Sequence, residues 1–350
     1  MRTPFIILLL PLLGTTTHAQ DREIITWEKR HLDGTFYSEG AGHGDFNKDG
    51  SIDIVSGPFI WLGPAFEQKL EIYEAKPVDP KGYSQNFFSF GHDFNGDTWP
   101  DVLVLGFPGN DSRWYENPQG RKGHWPVHEA MAQTDNESPN FTDLTGDGNP
   151  EIVCQVNGRL GYASPDPSNP AAPFVWHPIS PPNAVGGKFS HGLGVGDVNK
   201  DGRLDVLEKE RWWEQPESLK EEPEWKSHRF ALATPGGAQM YADDFDGDGD
   251  NDIITSLAAH GYGLAWYENV DGKLNQRLIV GQDPLDNNYG VSFSQMHGIL
   301  SVGASRVTRI CVLQWRTFYN IGSLEGRLKP LHWTQLNKCC QRFSRTNNWS

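Results

Sequence analysis

Cysteine is nearly missing from this chain, with four residues in 350, and Cys154 alone precedes residue 300. A disulfide framework is thereby excluded from most of the chain, and Cys154, inside the apolar run Ile152-Val-Cys154, reads as a buried thiol. Long apolar runs are missing too. The stretch Phe5–Leu13 falls short of the ~20 residues a membrane-spanning helix needs. With Arg2 ahead of it and Thr17-His18-Ala19 behind, it reads as a secretory signal over residues 1–19, so a secreted or periplasmic protein without a membrane span is expected. Positive charge is scarce as well: from Gln20 to Gly298, 21 basic residues face 44 acidic ones, a net of −23 (21 − 44). That balance excludes a surface for nucleic acid or an anionic membrane. No G-x-S-x-G elbow, H-E-x-x-H helix, P-loop or dinucleotide fingerprint occurs, so no catalytic residue is nominated.

What the chain has instead is one acidic loop, D-x-[ND]-x-D-G-x-x-D, repeated five times. The first presents Asp45, Asn47, Asp49, Ser51 and Asp53, and the second Asp93, Asn95, Asp97 and Asp101. Asp143, Thr145, Asp147 and Glu151 form the third, and Asp197, Asn199, Asp201, Arg203 and Asp205 the fourth. The fifth carries Asp244, Asp246, Asp248, Asp250 and Asp252. Oxygens at positions 1, 3, 5 and 9, with the backbone carbonyl at position 7, are the hard ligands Ca²⁺ takes, and Gly at position 6 allows the sharp turn. Without a cation, carboxylates this close would repel one another. Bound metal would also act as the staple that a secreted chain lacking disulfides needs.

An EF-hand would place a bidentate Glu at position 12 between helices. Position 12 reads Ser56, Val104, Cys154, Glu208 and Thr255, whereas position 9 is acidic in all five, so coordination closes at position 9. The apolar pairs that follow, such as Ile54-Val55 and Val102-Leu103, read as strands. First-position aspartates recur at spacings of 48 (93 − 45), 50 (143 − 93), 54 (197 − 143) and 47 (244 − 197), the mark of a repeat architecture. Each unit carries a polar-aromatic segment before its loop, the apolar strand after it and an aromatic strand ending in a turn, as in Trp114-Tyr-Glu-Asn-Pro118 or Trp213-Glu-Gln-Pro216. A fourth segment follows, as in Trp125-Pro-Val-His128, Trp176-His177 and Trp225-Lys-Ser-His228. Four short strands per unit predict an all-β fold, a monomeric β-propeller of about six to seven four-stranded blades over residues 20–299. The N-terminal segment around Trp27 reads as a fourth strand awaiting a blade shared between the termini.

These loops, with Phe88-Ser-Phe-Gly91 before one of them and Gly106-Phe-Pro108 after it, resemble the FG-GAP/VCBS repeats of integrin-α-like propellers. The resemblance spans roughly Trp27 to Ile299 and implies Ca²⁺ held between two strands of each blade. Members of that family include adhesion modules, lectin-like binders and non-catalytic domains of enzymes. Two loops depart from the pattern, with Thr98 at position 6 of the second and Thr145 with Glu151 in the third, and weaker binding is expected there.

The recurring Trp/Tyr positions read as packing between blades, and one of Trp212 and Trp213 as an exposed contact. His43, His92, His191 and His297 cluster ahead of loops. His43 precedes its loop by two residues and His92 by one, which sets them on opposite strand faces unless a bulge intervenes. Asn110, Asn136 and Asn140 head glycosylation acceptor triplets. From Leu300 to Ser350 the grammar breaks: there are eight basic residues, one acid (Glu325) and three cysteines, Cys311, Cys339 and Cys340, with no sixth loop. Residues 300–350 read as a basic extension or as the product of a shifted reading frame, leaving the array incomplete at its C-terminal end. The expected function is a secreted, calcium-binding propeller that binds or adheres to a protein or polysaccharide. The alternative is a polysaccharide lyase or hydrolase with its site in the central channel.

Overall fold

The computed structural model describes residues 30–233, 236–259, 264–270 and 272–280, together with strands at 299–303 and 309–313. Two compact units divide at His31, and nearly all described residues belong to the second, Leu32–Ser350. The signal segment, Trp27, His297, Cys339 and Cys340 lie outside the described residues.

The fold is an all-β propeller, and no helix occurs among the described residues. Blade one is the antiparallel sheet β1 (Ala41–Gly44), β2 (Asp53–Ser56), β3 (Phe59–Trp61) and β4 (Lys69–Glu71). Blade two comprises β5 (Phe88–His92), β6 (Asp101–Leu105), β7 (Asn110–Tyr115) and the start of β8 (Val127–Thr142). Blade three takes the end of β8, then β9 (Glu151–Val156), β10 (Arg159–Ser164) and β11 (Val175–Pro178). Strand β8, 16 residues long, is thus the outer strand of one blade and the inner strand of the next, with a register break between its pairings at Asp135 and Asn140. Blade four is β12 (Leu193–Gly196), β13 (Asp205–Glu208), β14 (Arg211–Glu214) and β15 (Lys226–Arg229). Blade five is β16 (Gln239–Asp243), β17 (Asp252–Ser256), β18 (Leu264–Val270) and β19 (Lys273–Val280), and its inner strand runs parallel to β12. Beyond it, β20 (Ile299–Gly303) and β21 (Arg309–Leu313) pair as an antiparallel hairpin at the head of the basic tail.

The core lies between blades. Val102 and Val104 pack toward blade one, whereas Leu103 and Leu105 on the same strand pack toward blade three. Val206 faces blade three and Leu207 blade five. Because a blade is covered on both faces, both members of the apolar pair are buried in blades one to four, which is why these strands read as continuous rather than alternating apolar runs.

Three of the expected third-strand aromatics pack into interblade clusters, Trp114 (1 % exposed), Tyr162 (6 %) and Trp213 (2 %), and in blade five Tyr267 (1 %) takes that place rather than the expected Trp266. The expected exposed partner of the Trp212-Trp213 pair is absent. Trp213 faces the cluster shared with blade three, while Trp212 packs against the blade-five cluster and stacks flat on His228, with 4.0 Å between ring centroids. The strand alternates as expected, but a second blade covers its other face.

Candidate metal centres

Every acidic loop joins the first strand of a blade to the second, so the flanks are strands and the EF-hand alternative fails. The loops fold by satisfying their own amides. The position-1 carboxylate accepts the N–H groups of positions 5 and 6: Asp45 from Asp49 (3.1 Å) and Gly50 (3.0 Å), Asp93 from Asp97 (3.1 Å) and Thr98 (2.7 Å). Asp143 and Asp197 repeat this with Asp147 and Gly148 and with Asp201 and Gly202. In the fifth loop Asp244 accepts from Gly247. At position 3, the side-chain oxygens of Asn47, Asn95, Asn199 and Asp246 accept the N–H of position 5. At position 5, Asp49, Asp97, Asp147, Asp201 and Asp248 accept from position 7. Such side-chain-to-backbone bonds replace a sheet ladder with a tight acidic turn.

Position 9 is set apart. Asp53, Asp101, Asp205 and Asp252 are fully buried and Glu151 is 1 % exposed. One oxygen of Asp53, Asp101 and Asp205 accepts the position-2 N–H of its own loop, from Phe46 (2.9 Å), Phe94 (2.9 Å) and Val198 (3.0 Å). The other accepts an N–H just past the third strand, from Gly63 (2.8 Å), Asn117 (2.7 Å) and Gln215 (2.9 Å). Burial pushes these carboxyls up, Asp101 and Asp205 to about 7 and Asp252 to about 6. Backbone donors pull the other way, and the neighbouring loop aspartates add to the rise. Asp53 and Glu151 are raised for the same first reason.

Glu151 and Thr145 form a matched exception. The longer carboxylate reaches the N–H of Leu144 (2.7 Å) and the hydroxyl of Thr145 (2.8 Å), so Thr145 donates its proton inward where the other loops present an acceptor. Arg203 and Asp250, expected to offer only backbone oxygens at position 7, also engage their side chains: Arg203 pairs with Asp201, and Asp250 with Lys200 at 2.6 Å. Ser51 contributes its N–H to Asp49 at 2.8 Å.

Two groups of three carboxylates draw together among the described residues, Asp143 with Asp147 and Glu151, and Asp244 with Asp246 and Asp248, each set placing one oxygen apiece within 4.8 Å of the others. The fifth loop carries a further mark. Oδ1 of buried Asp252 accepts from Asn269 N at 2.8 Å, but Oδ2 has no hydrogen-bond partner. The Trp266 indole is close enough to ease that carboxylate's charge, yet its Nε1 makes no hydrogen bond of normal geometry. An orphaned buried carboxylate oxygen is costly and calls for a cation or water beside it. An all-oxygen donor set without His or Cys suits a hard cation rather than zinc or copper, so these residues fit such an ion.

Position 2 escaped the sequence reading although it is apolar in all five loops. Phe46, Phe94, Leu144 and Val198 plug the gap to the following blade. Strands β1 and β5 run without a bulge, His43 lying opposite Ile54 and His92 opposite Asp101. His92 packs edge-on against Phe94 and Phe141, and burial lowers the pKa of both histidines. His191 pairs instead with Glu137 at 3.5 Å. Asn136 is 2 % exposed, which closes that acceptor triplet to glycosylation in the folded state.

A family model for the FG-GAP-like repeat matches residues 93–154, from the first aspartate of the second loop through the third loop and into β9. The chain carries an FG-GAP-like repeat. A search of curated proteins returned no significant match. Among solved structures the chain is similar to an Agrocybe aegerita lectin specific for non-reducing terminal N-acetylglucosamine, at 17% identity over 71% of this chain and 68% of that one, with a TM-score of 0.45. It is also similar to a rhamnogalacturonan lyase, at 13% identity over 67% of this chain and 49% of that one, TM-score 0.40. A V. cholerae biofilm matrix protein matches at 20% identity over 52% of this chain and 28% of that one, TM-score 0.31. The FG-GAP-like match opens on the second acidic loop and closes on the strand after the third, so it takes in two of the five loops.

Proposed function

We propose that the chain is a secreted β-propeller whose acidic loops hold Ca²⁺ and whose blades present a binding or adhesion surface for a protein or polysaccharide. The observation that carries the calcium reading is the convergence of Asp244, Asp246 and Asp248 in a loop whose buried Asp252 has, at Oδ2, no hydrogen bond of normal geometry. The ion would be held by those aspartates with Asp252, and in the other loops by the oxygens at positions 1, 3, 5 and 9. Its role there is structural: it neutralises carboxylates that otherwise repel, and the first four loops are tied into interblade cores through position 2. A cation bound only by the folded state stabilises it by mass action. Melting in millimolar Ca²⁺ against excess EDTA tests this, with a clearly higher midpoint in Ca²⁺ expected. Coincident melting curves would sink the calcium reading.

A further inference from the structure

Antiparallel strands put successive turns at opposite ends. The acidic loops occupy the turns from first to second strand, so the turns from second to third strand, and the passages between blades, lie at the other end. There, three aromatic rings from distant parts of the chain meet. Tyr83, from the passage between blades one and two, lies 5.2 Å from Phe107 of the β6–β7 turn, and Phe107 lies 5.5 Å from Phe189 of the passage between blades three and four. Tyr83 is 45 % and Phe189 47 % exposed, and they are the two aromatics among the exposed large apolar residues described. Each of these two rings leaves nearly half of its surface in water, and a contiguous group of exposed rings marks a binding surface.

The ledge borders a polar depression of about 380 Å³, lined by Gln133, Asp135, Asn157, Asn183 and Lys188 among others. Lys188 belongs to both, with its ammonium 4.8 Å above the Phe189 ring. The depression is held in place by the backbone: Lys188 O accepts from Asn136 N at 2.8 Å, and Ser190 O from Glu137 N at 3.0 Å. Asp135, 2 % exposed, accepts from Asn157 N at 2.8 Å and, on both oxygens, from Gln133 Nε2 at 2.9 and 3.0 Å. An ionised carboxylate has about four acceptor positions, so capacity remains for a hydroxyl.

We propose that this surface binds the ring of a neutral sugar in a glycan, with its C–H face on Tyr83, Phe107 and Phe189 and its hydroxyl rim toward Asp135, Asn157, Asn183 and Lys188. The chemistry selects that class. One ammonium and one carboxylate cancel, and the rest of the lining is the amides of Gln133, Asn157 and Asn183, glycine backbone and the apolar Val185, so the site offers many hydrogen bonds and no net charge beside an aromatic ledge. The volume lies in the range of small-molecule sites, about 300–1,000 Å³. The inference rests on the reading of the chain as a binding module and names its ligand.

The test is an array of immobilised neutral and uronate-bearing oligosaccharides, probed with the calcium-loaded wild type, the double variant Tyr83→Ala/Phe189→Ala, Lys188→Ala, and Val175→Ala as an exposed control remote from the ledge. All the replaced side chains are exposed, so unchanged melting confirms folding. Retention of neutral glycans by the wild type and control, with a loss of about tenfold or more in the double variant, supports the site. Equal binding by the double variant overturns the site and leaves the binding-module reading standing. Binding confined to uronate-bearing glycans, or to none, overturns the neutral-sugar assignment, while the calcium reading is decided separately by melting.

Discussion

The side-chain amide of Asn117 donates to the carbonyl of Phe46, 71 residues earlier and one blade back, at 2.9 Å. Two other blades repeat the bond at the same separation: Gln215 to Leu144 at 2.9 Å and Asn269 to Val198 at 2.9 Å. In each case the acceptor is position 2 of the preceding loop. The same side chain also bonds the position-8 carbonyl of its own loop, and its backbone N–H caps the buried position-9 acid. One Asn or Gln therefore ties together two loops and the end of a third strand.

Asn117→Ala keeps the backbone bond to Asp101 but strips the carbonyls of Phe46 and Pro100 of the side-chain donor they share, and a buried polar group stripped of its partner costs about 1–3 kcal/mol. Chemical denaturation should show a loss in that range. Gln119→Ala removes a more exposed contact to Asp97 and should cost distinctly less. Equal losses would show that the interblade bond contributes nothing particular.

Thr98 occupies position 6 of the second loop with φ of 74°, where the first and fourth loops place Gly50 and Gly202 at 86°. A β-branched residue in the left-handed region is strained by about 1–3 kcal/mol. Thr98→Gly should raise both stability and the Ca²⁺ response of this loop, partly offset by the greater freedom of glycine when unfolded. Unfolding measured in matched Ca²⁺ checks it, and a net destabilisation would mean that the contact from Lys48 to Thr98 outweighs the strain.

The buried position-9 carboxyls set the pH dependence of the metal-free protein. Their folded pKa values lie above the ordinary value, at about 7 for Asp101 and Asp205 and about 6 for Asp252. Their contribution to stability is therefore present at low pH and is lost as pH rises from about 4 through 7. His43 and His92, lowered by burial, act in the opposite sense, with stability lost as pH falls below their unfolded value. Because the histidines contribute with or without metal, the difference in melting temperature between Ca²⁺-loaded and metal-stripped protein isolates the carboxyls. That difference should widen from pH 5 to pH 8, with protons released on binding near neutrality. A constant gap would detach the carboxyls from the metal.

Much of this was legible because it is local. The nine-residue loops, the β-branched pairs, third-strand aromatics such as Trp114 and fourth strands as far as Lys273–Val280 can be read within a few residues, and all take their expected places. What escaped reading depends on residues brought together by blade packing. The Glu-Asn and Glu-Gln pairs after Tyr115, Trp213 and Tyr267 read as turns, since nothing local marks a bond to residues 71 positions away. The continuity of β8 across two blades was hidden for a similar reason, its midpoint being fixed by the next inter-blade passage, where Asn136 N meets Lys188 O. One of Trp212 and Trp213 was assigned to solvent because a strand alone does not reveal that both its faces are covered.

The loops should also differ in how much they contribute. In the fifth, Asp248 joins Asp244 and Asp246, the same loop's buried Asp252 has no hydrogen bond of normal geometry at Oδ2, and Asp246 is raised by burial and by the like charges of Asp248, Asp244 and Glu268. In the third, Asp147 joins Asp143 and Glu151, but Glu151 already holds two donors in Leu144 and Thr145, and position 3 supplies a hydroxyl in place of a carboxylate. A cation therefore relieves more repulsion and satisfies a more exposed electrostatic need in the fifth loop. Asp248→Ala should reduce the Ca²⁺-dependent rise in melting temperature more than Asp147→Ala. Measuring both variants in Ca²⁺ and in EDTA separates this effect from a general loss of stability, since the EDTA curves report the fold alone. Equal or inverted losses would show that the number of loop carboxylates does not set how strongly each site supports the propeller.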